Sequence, residues 1–269
     1  MTSDPLSAGG SAPAERRATA PHWPLLVGCA VLVLLGLVLR LEQLGSPRSF
    51  GFDEHHFVEN ARNYLRGRAD LNDHPPLGKL TIALSMRAFG DESFAWRVPA
   101  LVAGLATIAL GAALARRLFP SRLAPWIAAA FLAGDGFFIG YSRAGLLDAQ
   151  LVALAAGAAL LVASRPGARA LVAAGLLAGL AMNVKLSGVV LIVPIALGLA
   201  QSPLDRRARL AAATGAALAM AIGFCVPWAI GLGITGRPGD PWSALQETRR
   251  LVAHHAALTK MDNDLTSSW

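Results

Sequence analysis

Between Pro24 and Leu39 the chain carries no charged side chain, and largely apolar runs recur at about 98–115, 123–141, 149–163, 168–183, 186–200 and 210–232. Inside a bilayer a backbone must satisfy its own N–H and C=O groups, which an α-helix does within one segment. About 20 apolar residues wound this way cross the hydrocarbon layer. The repeated runs therefore predict an all-α integral membrane protein, a polytopic helical bundle with about seven transmembrane helices. Composition agrees: 54% of residues are hydrophobic and 15% charged, where a soluble domain carries about 25% charged residues. Runs shorter than a simple span are reconciled by tilt, or by the chain bending inside protein around Lys185. Ala-rich helices of this kind can pack closely without a GxxxG seam. The first run reads as an uncleaved span, because Arg40-Leu41-Glu42-Gln43 follows it instead of a small-x-small cleavage site.

Charge sets the expected orientation. Only Lys79, Lys185 and Lys260 are lysines; the other basic residues are arginines. With the N-terminus cytoplasmic, the inside segments hold Arg16 and Arg17, then Arg116, Arg117 and Arg122, then Arg165 and Arg169, then Arg206, Arg207 and Arg209. Nearly all acids fall in the opposite segments, so the alternation holds at every turn. The net charge of +7 is thus the mark of cytoplasmic loops, and no nucleic-acid partner is expected. Residues 1–22 read as a disordered cytoplasmic tail. Residues 23–232 form the membrane domain, with a large first extracytoplasmic loop at 40–96. Residues 233–269 open a second loop on the same face. That loop stops at Trp269 in a polar stretch with no closing element, so a fragment of a longer chain is expected. The run Leu77–Phe89, which holds Lys79 and Arg87, fits a short helix lying in the interface. Cys29 and Cys225 sit in apolar runs, which excludes a disulfide framework.

Two polar knots interrupt this apolar chain: Phe52-Asp53-Glu54-His55-His56-Phe57 and Asp73-His74-Pro75-Pro76-Leu77-Gly78-Lys79. Asp148 opens the fourth run after Tyr141-Ser142-Arg143, Asp135 interrupts the third, and Lys185 lies between the fifth and sixth. Ionisable groups at membrane depth are costly and mark function, although caps, ion pairs and snorkelling lysines are the structural alternatives. Glu59 lies one helical turn beyond His55. Adjacent His55 and His56, however, point to different helix faces and make a poor ligand pair, so no metal site is assigned.

The set suits group transfer from a lipid-linked phosphate. A carboxylate at the water interface takes a proton from an acceptor hydroxyl. Cations hold the phosphate that leaves, and an apolar groove holds the lipid tail. No G-x-x-x-x-G-K-[ST] or G-x-G-x-x-G pattern is present, which argues against a nucleotide donor bound in the usual ways.

"FDEHHF" followed by "HPPLGK", then "FAWRVPALVAG", "LAGDGFFIGYSRAGLLDAQL" and "GLAMNVKLSG", resembles the protein O-mannosyltransferase family. The likeness runs unbroken over about residues 25–269, and the paired DE with HPPLGK is its specific part. His55-His56 stands where the family often has Val-His, and Asn263-Asp264 stands where it has His-Pro before Ser-Ser-x-Trp. The resemblance implies a GT-C-type bundle and an inverting glycosyltransferase. Such an enzyme moves mannose from a polyprenyl-phosphate carrier to Ser or Thr hydroxyls of exported proteins. The expected site lies on the extracytoplasmic face of a bacterial-type plasma membrane. It implies Asp53 as general base and Glu54 as its partner, positioning the acceptor or the neighbouring loop. His74, Lys79, Arg143, Asp148 and Lys185 would bind the substrate or the carrier phosphate. No cofactor is needed beyond the lipid-linked sugar phosphate, itself a substrate. Two other readings stay open. A related GT-C enzyme could modify a lipid or glycan with another sugar, or a transporter could use Asp135, Asp148 and Lys185 as an ion pathway. Transporters usually show internal repeats, and none is evident here.

Overall fold

A computed structural model describes residues 23–69, 74–164 and 167–266. The tail expected at 1–22, together with Asp70, Asp73, Arg165 and the terminal 267–269, lies outside the described residues. Among the described residues there is no strand. The helices are α1 (Trp23–Leu41), α2 (Glu54–Leu65), α3 (Pro76–Phe89), α4 (Ser93–Leu118), α5 (Ala124–Gly134), α6 (Gly136–Tyr141), α7 (Asp148–Ala163), α8 (Ala168–Val184), α9 (Ile192–Gln201), α10 (Arg206–Ile234) and α11 (Pro241–Thr266), with a 3₁₀ turn at Leu186–Leu191 before α9. Each of the seven apolar runs becomes helix. Two, α4 and α10, are long and apolar enough to cross a bilayer alone; the other five apolar stretches are shorter.

The third run, expected as one span, splits. Asp135 turns the chain out of α5 and caps α6, its Oδ1 accepting the Phe138 N–H at 2.6 Å. A carboxylate at a helix N-terminus satisfies an orphan donor and suits the helix dipole, so a structural role fully explains this acid. Asp205 does the same for α10 through the Ala208 N–H at 2.7 Å.

Packing follows the small residues. α8 lies between α7 and α10, and α7 between α4 and α8. The seam of α8 with α10 is built on Gly175 and Gly179, spaced as GxxxG. A Cβ at Gly175 would meet the Ala216 carbonyl oxygen at 2.3 Å, and one at Gly179 the Met220 carbonyl oxygen at 2.1 Å. A glycine seam therefore sets this approach, where alanine alone was expected to suffice. Gly179→Ala is expected to cost about 1–3 kcal/mol through overpacking. Gly233→Ala, where a Cβ would meet nothing within 4 Å, should be neutral or stabilising. Thermal unfolding of the two variants in micelles checks the contrast.

α3 wedges among α2, α4, α8 and α10. Its inner face (Ile82, Ala83, Met86) is buried with Phe57, Val58 and Leu147, while Leu84 and Phe89 face outward. The Leu77 N–H donates to Asn183 Oδ1 at 3.0 Å, tying the start of α3 to the end of α8. α11 packs on the end of α10 through Ala244, Trp228 and Leu232. It reaches back until the His255 ring stacks on His74 at 5.7 Å. The first polar segment and the last therefore meet on one face of the bundle.

Candidate active site

Glu54 is the hub. Its side chain is fully buried at the start of α2, and both oxygens are occupied. Arg97 Nε donates to Oε1 at 2.8 Å and Nη2 to Oε2 at 2.9 Å, a bidentate pair. The Gly145 N–H donates to Oε1 at 2.6 Å and the Gly51 N–H to Oε2 at 2.7 Å. Arg97 also donates to the Leu44 carbonyl at 2.9 Å, so one ion pair fastens the segment after α1, the start of α2, and the turn before α7. Burial pushes the Glu54 carboxyl upward, but Arg97 and the two amides outweigh it and hold the pKa below the usual carboxylate range. With four donors on two oxygens, Glu54 is not placed to take a proton. Of the two tasks expected for it, the geometry matches positioning of the loop.

Asp53 is the opposite case. It sits at the N-cap of α2, exposed, with no side-chain capping bond. Neither phenylalanine that flanks the knot shelters it: Phe57 turns into the core at 5% exposure and Phe52 into solvent at 81%. Its fixed neighbour is Glu54, which anchors the turn on which Asp53 stands.

The turn between α6 and α7 is held from below. Arg40, fully buried at the end of α1, donates to Ser142 Oγ at 2.7 Å and to the carbonyls of Leu132 at 2.9 Å and Ala133 at 3.1 Å. It thereby satisfies carbonyls that the C-terminus of α5 leaves open. Gly104 lets α4 approach this turn, since a Cβ there would meet Ser142 Cβ at 2.5 Å. Arg143, half-buried, donates to the Glu42 carbonyl. Asp148 starts α7 and takes the Lys185 ammonium at 2.8 Å, both side chains about one-third exposed (35% and 31%). Lys185 reaches it because α8 ends there and the chain folds back. A Cβ at Gly188 would meet the Met182 amide nitrogen at 2.5 Å.

His74 is half-buried, with Phe57 stacked at 5.5 Å and His255 at 5.7 Å. Lys79, expected at a phosphate, is completely buried on the packed side of α3, whereas the Lys185 side chain stays about one-third exposed beside Asp148. His55 and His56 are both exposed with rings 3.6 Å apart, closer than their expected divergence. Among the described residues no group of three His, Cys, Asp or Glu side chains gathers as a metal site.

Sequence reasoning missed Arg97, Arg40 and Asn183. A signal existed: an arginine at the end of an apolar run, or in the first turn of one, needs a partner because a lone buried charge is costly. A second cluster went unread as well. Arg62 grips Asp91 at 2.7 and 3.0 Å, Trp96 Nε1 donates to Asp91 at 2.8 Å, and the guanidinium lies over the Phe50 and Trp96 rings. Arg62 holds the Asp91 carboxyl below the usual range.

This all-helical bundle, with its fastened acidic turn and an ion pair at the ends of apolar helices, has the fold of solved GT-C membrane glycosyltransferases. The Saccharomyces cerevisiae protein O-mannosyltransferase Pmt1–Pmt2 complex bound to the sugar donor shares this fold, with TM-score 0.65 and 23% identity over 81% of this chain and 35% of that one. So does ArnT from Cupriavidus metallidurans bound to undecaprenyl phosphate, with TM-score 0.58 and 22% identity over 78% of this chain and 41% of that one. Residues 73–230 match the sequence model of the dolichyl-phosphate-mannose-protein mannosyltransferase family, and residues 30–100 match a second model of the same description. The chain belongs to this family. Relatives include the polyprenol-phosphate-mannose–protein mannosyltransferase of Mycolicibacterium smegmatis, 37% identical over 145 residues, which are 49% of this chain and 28% of the relative. The Corynebacterium glutamicum protein of the same name is 34% identical over 139 residues, 46% of this chain and 27% of the relative. The match thus spans little more than a quarter of the length of these relatives.

Proposed function

We infer that the protein transfers mannose from a polyprenyl-phosphate carrier to Ser or Thr hydroxyls of exported proteins, with inversion, on the extracytoplasmic face of a bacterial-type plasma membrane. One observation carries the reading. The family's acidic pair is divided here into a saturated, buried Glu54 and an exposed Asp53 with no capping bond. Asp53 serves as the general base. As the acceptor oxygen attacks the anomeric carbon, its proton passes to the Asp53 carboxylate, the carbon–oxygen bond to phosphate breaks, and the carrier phosphate leaves with the electron pair. Arg143 and Lys185 hold that phosphate, and Asp148 keeps the Lys185 ammonium in place. The ion-pathway reading loses Asp135, which is spent as the cap of α6.

Comparing mannose on exported proteins by mass spectrometry, with and without the gene, tests this function. Loss of protein-bound mannose with accumulation of the lipid-linked sugar supports it; unchanged glycoproteins count against it. The phosphate contact has its own test. A charge-assisted hydrogen bond is worth about 1.5–3 kcal/mol, so Lys185→Ala should lower kcat/KM for the polyprenyl donor by about 10–100-fold. Unchanged donor kinetics would remove Lys185 from the site.

A further inference from the structure

Phe52 stands on the same tight turn as Asp53, and neither its backbone nor its surroundings favour a large aromatic residue. The Glu54 N–H donates to the Gly51 carbonyl at 3.0 Å, closing a β-turn over residues 51–54. Phe52 occupies its second position with φ +49°, and Asp53 its third with φ −81° and ψ 5°. A β-turn with positive φ at its second position favours glycine there, since a Cβ is strained at positive φ. The ring is also 81% exposed. Other strongly exposed apolar side chains, such as Phe131 at 73% and Leu210 at 70%, lie on apolar helices that a bilayer covers. Phe52 lies outside those helices, in a polar segment. Glycine would relieve both the strain and the exposure, so the ring is costly to keep. Strain of this kind gathers at sites where a ligand uses it.

The geometry points to Phe52 as an acceptor-binding residue: its ring is the platform on which an apolar side chain of the acceptor polypeptide packs, next to the Ser or Thr whose hydroxyl faces Asp53. The donor reaches the site through its lipid, from the side of the apolar helices and the Asp148–Lys185 pair. The acceptor comes from water, to which Phe52 is open. His55 and His56, also exposed, extend the same surface along α2. This assignment rests on Asp53 being the base, and it makes Phe52 a determinant of which hydroxyls are used.

The test uses the full chain in nanodiscs and two fluorescent threonine peptides, one with leucine beside the threonine and one with glycine there. Anisotropy measures binding, and thermal unfolding measures stability. Phe52→Gly should bind the leucine peptide about tenfold more weakly, the loss of one packed side chain. It should also melt about 2 °C higher, because the turn relaxes. Phe52→Ala should lose the same binding without gaining stability, and Phe52→Tyr should bind as the parent does. The glycine peptide should bind all four proteins alike. Equal binding of the leucine peptide to Phe52→Gly and the parent would overturn the assignment. Equal losses for both peptides, or a lower melting temperature for Phe52→Gly, would overturn it too. If the parent protein moves no mannose to either peptide, the functional reading falls, while the binding comparison still decides Phe52.

Discussion

Asp53→Asn is expected to slow mannosyl transfer by about 100-fold or more, with insertion into the membrane and donor affinity unchanged. Asn keeps the shape of the side chain and removes the base. Because the Asp53 side chain makes no capping bond in the fold, the substitution breaks no structural contact, and lost turnover would report lost chemistry. Glu at position 53 should not rescue it, since moving a carboxylate by about one methylene can itself cost ~100-fold. Single-turnover transfer in membranes, alongside donor binding, measures both quantities. Near-normal turnover of Asp53→Asn would move the base elsewhere, and the saturated Glu54 would be a poor place to look.

The second large effect concerns stability. Arg97→Met should destabilise the fold by about 3–5 kcal/mol, because it leaves the Glu54 carboxylate buried without its charge partner. That is a large share of the 5–15 kcal/mol that typically holds a domain together. The double variant Glu54→Gln with Arg97→Met should recover part of the loss, since the uncompensated charge is then gone. The same pair sets an acid limit. A carboxyl whose pKa is lowered by folding contributes stability that is fully present above its unfolded value, about 4.3 for Glu. That contribution is lost as pH falls through the lower folded value. Thermal unfolding of the parent should therefore shift downward below about pH 4, and the shift should shrink in the double variant. Transitions that move equally in both would assign the acid sensitivity to other groups. Asp91, also held low by Arg62, is the leading alternative.

Much of the fold could be read from the apolar runs alone, because membrane helices are specified by length and hydropathy. What hydropathy could not convey was where a run breaks. Asp135 splits one run because its carboxylate caps a new helix, and Lys185 ends another because the chain folds back past Gly188. The Gly175–Gly179 seam depends on which face of α8 meets α10, a fact of tertiary packing. The candidate residues were legible in part, through the order of DE, HPPLGK, SR…LLD and Lys185, but not their division of labour. Asp53 and Glu54 are chemically near-identical neighbours. Only the placement of Arg97 and of the Gly145 and Gly51 amides separates them. Lys79 and Lys185 divide in a similar way, one enclosed by α3 packing and the other paired at an open edge.

Transfer of mannose from purified polyprenyl-phosphate-mannose to a threonine peptide, by the full chain reconstituted in nanodiscs, tests the central claim most directly. The expected product carries mannose on the threonine hydroxyl with its anomeric configuration opposite to the donor's, is absent when a nucleotide-linked mannose replaces the lipid donor, and is nearly lost in Asp53→Asn. Transfer from the nucleotide-linked sugar, retention of configuration, or full activity in Asp53→Asn would contradict the account.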